Sequence, residues 1–155
     1  MVSVFLIRHA NAGSRSRWQG DDGFRPLNAR GRQQASAVAE LLAGRGVTKV
    51  VSSPATRCVQ TVEPLADALG LRVKVDKRLA EGADLAGALD VVTARGHLAI
   101  CAHGDLIPEI MAVFVGRGMR AEAPARCQKG SVWEIELRGG RPVEATYHPP
   151  VARGD

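Results

Sequence analysis

The chain has 155 residues, about one domain's worth, with 45% apolar, 24% charged and only 4% aromatic residues. A fold of this size buries roughly 68–70% of the surface its unfolded chain exposes, which excludes a disordered tail and a disulfide-stapled miniprotein. The net charge of +5 comes from 21 basic and 16 acidic residues, and 17 of the bases are arginine, whose planar fork fits phosphate or carboxylate.

Val2–Ile7 is apolar and β-branched apart from Ser3, which predicts a buried strand. It is far short of the ~20 residues a membrane span needs and has no basic flank before it, so the expectation is a soluble chain without a signal peptide. The Gly-, Arg- and Asp-rich stretch from Gly13 to Pro26 predicts a loop. Asn28 is placed to cap a helix running to about Ala43, with Ala35, Val38, Ala39 and Leu42 at helical spacing and Gly44 and Gly46 ending it. Val47–Ser52 predicts a second buried strand. Ser53 and Pro54 then predict a helix start with Pro in the first turn, the helix ending at Gly70.

Leu71–Val75 predicts a short strand, Leu85–Arg95 a helix, His97–Ala102 a third buried strand and Asp105–Val115 the helix behind it. Ser131–Leu137 alternates, Gly139-Gly140 reads as a hairpin turn, and Val143–Tyr147 is the returning strand. The domain is expected to span 1–148, with 149–155 a loose tail. Strands and helices alternate, which argues for an α/β layer fold.

The three cysteines, Cys58, Cys101 and Cys127, are odd in number and scattered. They fit a reducing cytoplasm rather than a disulfide framework, and Cys58 and Cys101 fall on elements predicted to be buried. No five-residue basic block exists and aromatics are scarce, so nucleic acid is not the expected partner. Among chemical motifs, the Gly-x4-Gly-Lys-Ser/Thr loop, the Gly-x-Gly-x-x-Gly fingerprint, the Gly-x-Ser-x-Gly elbow, the His-Glu-x-x-His pair and zinc spacing are all missing. No metal or other cofactor is expected.

What remains is a set of strand ends. His9 follows the first predicted strand, His103 the third, and Arg57 lies in the first turn of the helix after the second. In open parallel sheets ligands bind beyond the carboxyl ends of strands. These segments also carry a resemblance. Leu6-Ile7-Arg8-His9-Ala10 resembles the Arg-His-Gly signature of the histidine phosphatase (phosphoglycerate mutase-like) superfamily. Pro26-Leu27-Asn28-x-x-Gly31-x-x-Gln34-Ala35 resembles its first-helix start, and Ser52-Ser53-Pro54-x-x-Arg57-Cys58-x-Gln60-Thr61 its second arginine segment. Arg78-Leu79-Ala80-Glu81 resembles its acid-bearing loop and Ala102-His103-Gly104 its second histidine. The five occur in the family's order.

The run from His9 through Asn11-Ala12-Gly13-Ser14-Arg15, Arg17-Trp18 and Gly20-Asp21-Asp22 is similar to the phosphatase domain that follows a Nudix domain in some two-domain proteins, of which this chain would be a stand-alone version. The short phosphohistidine phosphatase branch also uses Arg-His-Ala.

The resemblance implies a three-layer sandwich, a mostly parallel central sheet flanked by helices. It implies a metal-independent phosphomonoesterase in which His9 attacks phosphorus, Arg8, Arg57, His103 and Gly104 bind the phosphate, and Glu81 is the general acid. Asp105 is the competing acid. Ala12 and Arg15 stand where many members have Ser/Thr and Asn, and Arg15 and Arg17 are candidates to grip a second phosphate or an acidic surface. Trp18 is expected to pin its loop, and Asp21-Asp22 to pair with nearby arginines. Ala10 stands where Gly is usual, which leaves the backbone less freedom. The length leaves little room for the inserted segments with which mutases cover substrate. The expected substrate is a nucleotide or another small phosphate. The alternatives are a phosphohistidine protein in signalling and a non-catalytic phosphate- or phosphoprotein-binding module. No membrane partner is expected.

Overall fold

The computed structural model describes residues 1–151, so the last four residues of the expected tail lie outside the described residues. Six strands form one sheet: β1 (Val2–Arg8), β2 (Lys49–Ser52), β3 (Val73–Val75), β4 (Leu98–Ala102), β5 (Val132–Arg138) and β6 (Arg141–His148). Among the described residues four α-helices accompany them, α1 (Ala29–Leu42), α2 (Thr56–Leu69), α3 (Leu85–Val92) and α4 (Ile107–Gly116), with two short 3-10 turns at Asp22–Phe24 and Lys77–Leu79. The strand order is β3-β2-β4-β1-β5-β6. The pairings from β3 to β1 are parallel, and β5 pairs antiparallel with both β1 and β6. The sheet is thus mostly parallel, as the resemblance implied.

Side-chain alternation along β1 explains the layering. Val4 and Leu6 pack on one face with Val91 and Val92 of α3 and Ile110, Met111 and Phe114 of α4. Phe5 and Ile7 pack on the other with Val38 and Leu42 of α1 and Cys58, Val62 and Leu65 of α2. Every residue of β4 is buried, as expected for a parallel strand covered on both faces.

Local signals behaved as their chemistry predicts. The Asn28 side chain accepts from the Gly31 amide and caps α1. Gly139 and Gly140 have φ of 57° and 77°, the left-handed pair a two-residue hairpin needs. Several boundaries differ from expectation: β2 begins at Lys49 rather than Val47, β3 at Val73 rather than Leu71, α4 at Ile107 rather than Asp105, and β6 runs Arg141–His148 rather than Val143–Tyr147. Pro54 lies outside α2, whose N-cap is Ala55, because Pro54 and Ala55 form the bend that turns the chain out of β2. The α3 helix stops at Val92, three residues before Arg95, as Thr93 turns its hydroxyl back onto the Leu89 carbonyl. Cys58 and Cys101 are fully buried and Cys127 half-buried, all three as free thiols.

Candidate active site

The strand order decides the site. β4 lies between β1 and β2, with Arg8 opposite Ala102 and Cys101 opposite Ser52. The residues that leave the three strand ends are therefore neighbours. The His9 amide donates to the Ala102 carbonyl at 3.1 Å, and the rings of His9 and His103 stand edge to face with centroids 5.5 Å apart.

His9 is 5% exposed. Its Nδ1 lies 2.9 Å from the carbonyl of Ala10. A carbonyl only accepts, so we assign the proton to Nδ1, which leaves the Nε2 lone pair free. Burial, foremost, holds the His9 pKa down to about 3, and the nearby charges of Arg57, His103 and Arg8 act in the same direction; only the bond to Ala10 opposes them. The imidazole is neutral at pH 7, as a nucleophile must be. Ala10 fits without strain. It is buried, its amide donates to Thr61 Oγ1 at 2.9 Å, and its φ is not left-handed, so the lack of glycine has no cost here.

His103 is held by Ser53, with Nε2 and Oγ 2.7 Å apart. Ser53 Oγ also accepts from the Ala55 amide at 3.4 Å. We assign the Ser53 proton to this bond, which places the ring proton of His103 on Nδ1; Cys58 Sγ lies 3.6 Å from the same Nε2. That Nδ1, together with Arg8 Nε and Arg57 Nε, is buried and has no hydrogen-bond partner among the described residues. Buried donors are nearly always satisfied, and all three belong to residues expected to hold an anion.

Gly104 packs directly against the Arg8 guanidinium. A Cβ there would lie 2.6 Å from Arg8 Cζ. Arg8 is braced from the other side, its Nη1 donating to the Cys127 carbonyl at 2.7 Å.

Glu81 ion-pairs with Arg15 at 3.0 Å and lies 3.5 Å from Arg57 Nη2. Arg57 also donates from Nη1 to the Asp22 carbonyl at 2.9 Å and meets the Asp22 carboxylate at 3.3 Å. The buried Arg25 completes the group, with Nε on Asp22 Oδ1 and Nη1 on the Ala12 carbonyl. Asp22 thus ties three arginines together, since Arg15 Nε also approaches it at 3.5 Å. These arginines, Arg25 first, hold the Asp22 carboxyl below the usual range against the opposing effect of burial.

A cavity of about 170 Å³ opens here, lined by Arg8, His9, Arg15, Glu81, Gly104 and Asp105, with Gly13, Arg25 and Lys129. The Asp105 carboxylate accepts from the Gly82 amide at 2.9 Å, so it anchors the turn that carries Glu81. Arg17 is exposed and, like Arg57 and His103, lies outside the lining of this cavity. Trp18 pins its loop as expected, its Nε1 donating to the Asp21 carbonyl at 2.9 Å. Sequence reasoning missed Arg25, Thr61, Ser53 and Lys129 as site residues. Arg25 had a signal, since it stands next to the Pro26-Leu27-Asn28 run. Lys129 had none, because it is more than 100 residues from His9 in the chain.

Comparison with known proteins is consistent with this geometry. A family model described as the histidine phosphatase superfamily (branch 1) matches residues 4–87. That segment includes Arg8, His9, Arg57 and Glu81; His103 lies beyond it. A relative from Mycolicibacterium smegmatis, named 8-oxo-(d)GTP phosphatase, is 35% identical over 96% of this chain. The match covers 48% of that protein, so this chain spans about half its length. Among solved structures, the protein histidine phosphatase SixA complexed with tungstate superposes with a TM-score of 0.73 at 22% identity, covering 95% of this chain and 94% of that one. A mycobacterial glucosyl-3-phosphoglycerate phosphatase gives 0.71 at 22% identity, covering 99% and 100%. At such identities the structures establish the fold alone.

Proposed function

This chain belongs to the histidine phosphatase superfamily, and from that premise we propose that it is a metal-independent phosphatase that hydrolyses phosphomonoesters through a phosphohistidine on His9. The observation that carries the reading is the state of His9: buried and neutral, with Nδ1 committed to the Ala10 carbonyl and Nε2 free beside two guanidiniums that have unpaired buried nitrogens.

The chemistry runs in two displacements. In the first, the Nε2 lone pair attacks phosphorus, the bond to the leaving oxygen breaks, and Glu81 gives that oxygen its proton. In the second, water attacks the phosphohistidine, Glu81 takes the water proton, and the P–N bond breaks to return neutral His9. Arg8, Arg57 and the Nδ1 proton of His103 face the equatorial oxygens, and such preorganised charge is usually the largest catalytic contribution. As an acid, Glu81 has to leave its resting ion pair with Arg15, so anion binding that draws Arg15 away prepares the acid for its step.

A nucleotide is the first substrate class, supported by the 35% identical relative named for a nucleotide phosphatase. A phosphohistidine protein is the second. It is favoured by Phe24, 70% exposed between Asp22 and Arg25, an apolar knob suited to a protein surface beside the cavity. The three free cysteines support a reducing cytoplasm as the setting, and no helix among the described residues is long and apolar enough to cross a membrane. The test is a phosphate-release screen over nucleotides, sugar phosphates and a phosphohistidine protein, run with and without chelator beside His9→Ala. Chelator-resistant release that depends on His9 is expected. Release that survives His9→Ala, or that a chelator abolishes and added metal restores, would overturn the reading.

A further inference from the structure

Lys129 differs from the other cations in and beside the cavity. Arg8 is engaged by the Cys127 carbonyl, Arg15 by Glu81, Arg25 by Asp22, and Arg57 by Asp22 and Glu81. The Lys129 ammonium has no hydrogen bond or ion pair among the described residues, and the charges that act on it are Arg8, Arg25, Arg15 and Arg57. It is also half-buried, and burial together with these arginines holds its pKa below the usual lysine range. A lysine serving solubility alone would stand clear of four guanidiniums.

Its backbone is fixed to the catalytic dipeptide. The Gly130 amide donates to the carbonyls of Arg8 and His9 at 3.1 and 3.2 Å, the Arg8 amide donates to the Ser131 carbonyl at 3.1 Å, and the Ser131 amide closes the turn on Gln128 at 3.0 Å. The fold thus builds a cation into the wall beside His9 that makes no ion pair among the described residues.

The cavity lining sets four cations (Arg8, Arg15, Arg25 and Lys129) against two carboxylates, Glu81 and Asp105, and Lys129 is the one of the four with no hydrogen bond or ion pair among the described residues. An anionic group of the substrate is what such a cation is placed to meet. We propose that Lys129 is a specificity-determining residue that binds a second anionic group of the substrate, a phosphate or carboxylate next to the phosphoryl group that His9 attacks. The proposal rests on the phosphatase reading above and narrows its substrate class to molecules with two adjacent anionic groups.

The experiment compares wild type, Lys129→Met and Lys129→Arg on p-nitrophenyl phosphate, GDP and 2-phosphoglycolate. A charge-assisted contact of roughly 1.5–3 kcal/mol corresponds to about 10- to 100-fold. Lys129→Met is therefore expected to lose at least ~10-fold more kcat/KM on a two-anion substrate than on p-nitrophenyl phosphate, and Lys129→Arg to recover most of it. Selective loss on GDP identifies a second phosphate, and selective loss on phosphoglycolate a carboxylate. Equal losses on all three substrates, or none, overturn the proposal. A binding arm keeps this separate from the activity reading: calorimetry of orthophosphate and imidodiphosphate on the His9→Ala protein, with and without Lys129→Met. A preference for imidodiphosphate that Lys129→Met removes supports the second-phosphate form even if turnover is never seen. If turnover also shows no loss on phosphoglycolate, a preference unchanged by Lys129→Met overturns it.

Discussion

Gly104 and Arg8 are in contact to the point that no side chain fits between them: a Cβ on Gly104 would lie 2.6 Å from Cζ of Arg8 and 2.8 Å from its Nε. The backbone of Gly104 is not left-handed, so alanine is compatible with the main chain and its methyl has to displace the guanidinium. A misplacement of about 1 Å near the reacting atoms costs on the order of 10²-fold. Gly104→Ala is expected to lower kcat/KM by about that factor while thermal melting stays close to wild type. Steady-state kinetics beside a melting curve check it. A large loss of stability with no specific kinetic loss would show that the contact is a packing feature only.

Glu81 and Asp105 divide one loop between them. Glu81 lines the cavity, and Asp105 holds the amide of Gly82 next to it. Glu81→Gln is expected to cost roughly 10²–10⁴-fold on an alkyl phosphate and much less on p-nitrophenyl phosphate, whose leaving group needs little protonation. Asp105→Asn is expected to cost less than Glu81→Gln and to show little dependence on the leaving group, because an amide still accepts from Gly82. Rates for both variants on both substrates decide the assignment. The reverse ranking moves the acid to Asp105.

Ser53 Oγ lies 2.7 Å from His103 Nε2, which Cys58 Sγ also approaches at 3.6 Å. Removing Ser53 Oγ leaves the buried Nε2 with the Cys58 thiol alone. Ser53→Ala is expected to slow turnover about five- to tenfold, the worth of one neutral hydrogen bond of about 1–1.5 kcal/mol. The measurement is kcat at saturating substrate, and an unchanged kcat would remove Ser53 from the positioning set.

The pKa of His9 predicts a stability slope. In the native state it is held near 3, against an ordinary value of 6.5. Between those limits the unfolded chain binds a proton that the folded chain refuses, so stability falls as pH falls through this window. The slope from this residue is at most one proton, about 1.4 kcal/mol per pH unit. Urea unfolding between pH 4 and 7 should therefore show a shallower pH dependence in His9→Asn than in wild type. Parallel curves would mean that His9 titrates normally in the fold. On the activity side, the nucleophile stays neutral well below pH 6, so any acid limb of the rate near pH 6 belongs to other groups.

Much of this was legible in the sequence, for local reasons. The β-branched run Val2–Ile7, the Asn28 cap and the Gly139-Gly140 turn are decided by neighbouring residues, and each appears where its chemistry predicts. Arg8, His9, Arg57, Glu81 and His103 were also legible, because each stands in a short motif. The Asp22 hub was legible only as a general expectation of arginine pairing. That it ties Arg15, Arg25 and Arg57 together depends on how the 13–26 loop folds over α2, a matter of tertiary packing. Arg17 shows the converse: composition made it a candidate, but the turn Arg17 closes onto Ser14 leaves it exposed and outside the cavity. Lys129 comes to the site through the pairing of β5 with β1, and pattern reading on one sequence does not reach strand order.

The most direct measurement of the central claim is an alkali quench during turnover, followed by peptide mapping for a bound phosphoryl group. The account predicts one acid-labile, alkali-stable phosphoryl group on the peptide containing His9, lost in His9→Ala together with turnover. A phosphoryl group mapped to another residue, or full turnover with none on His9, would contradict it.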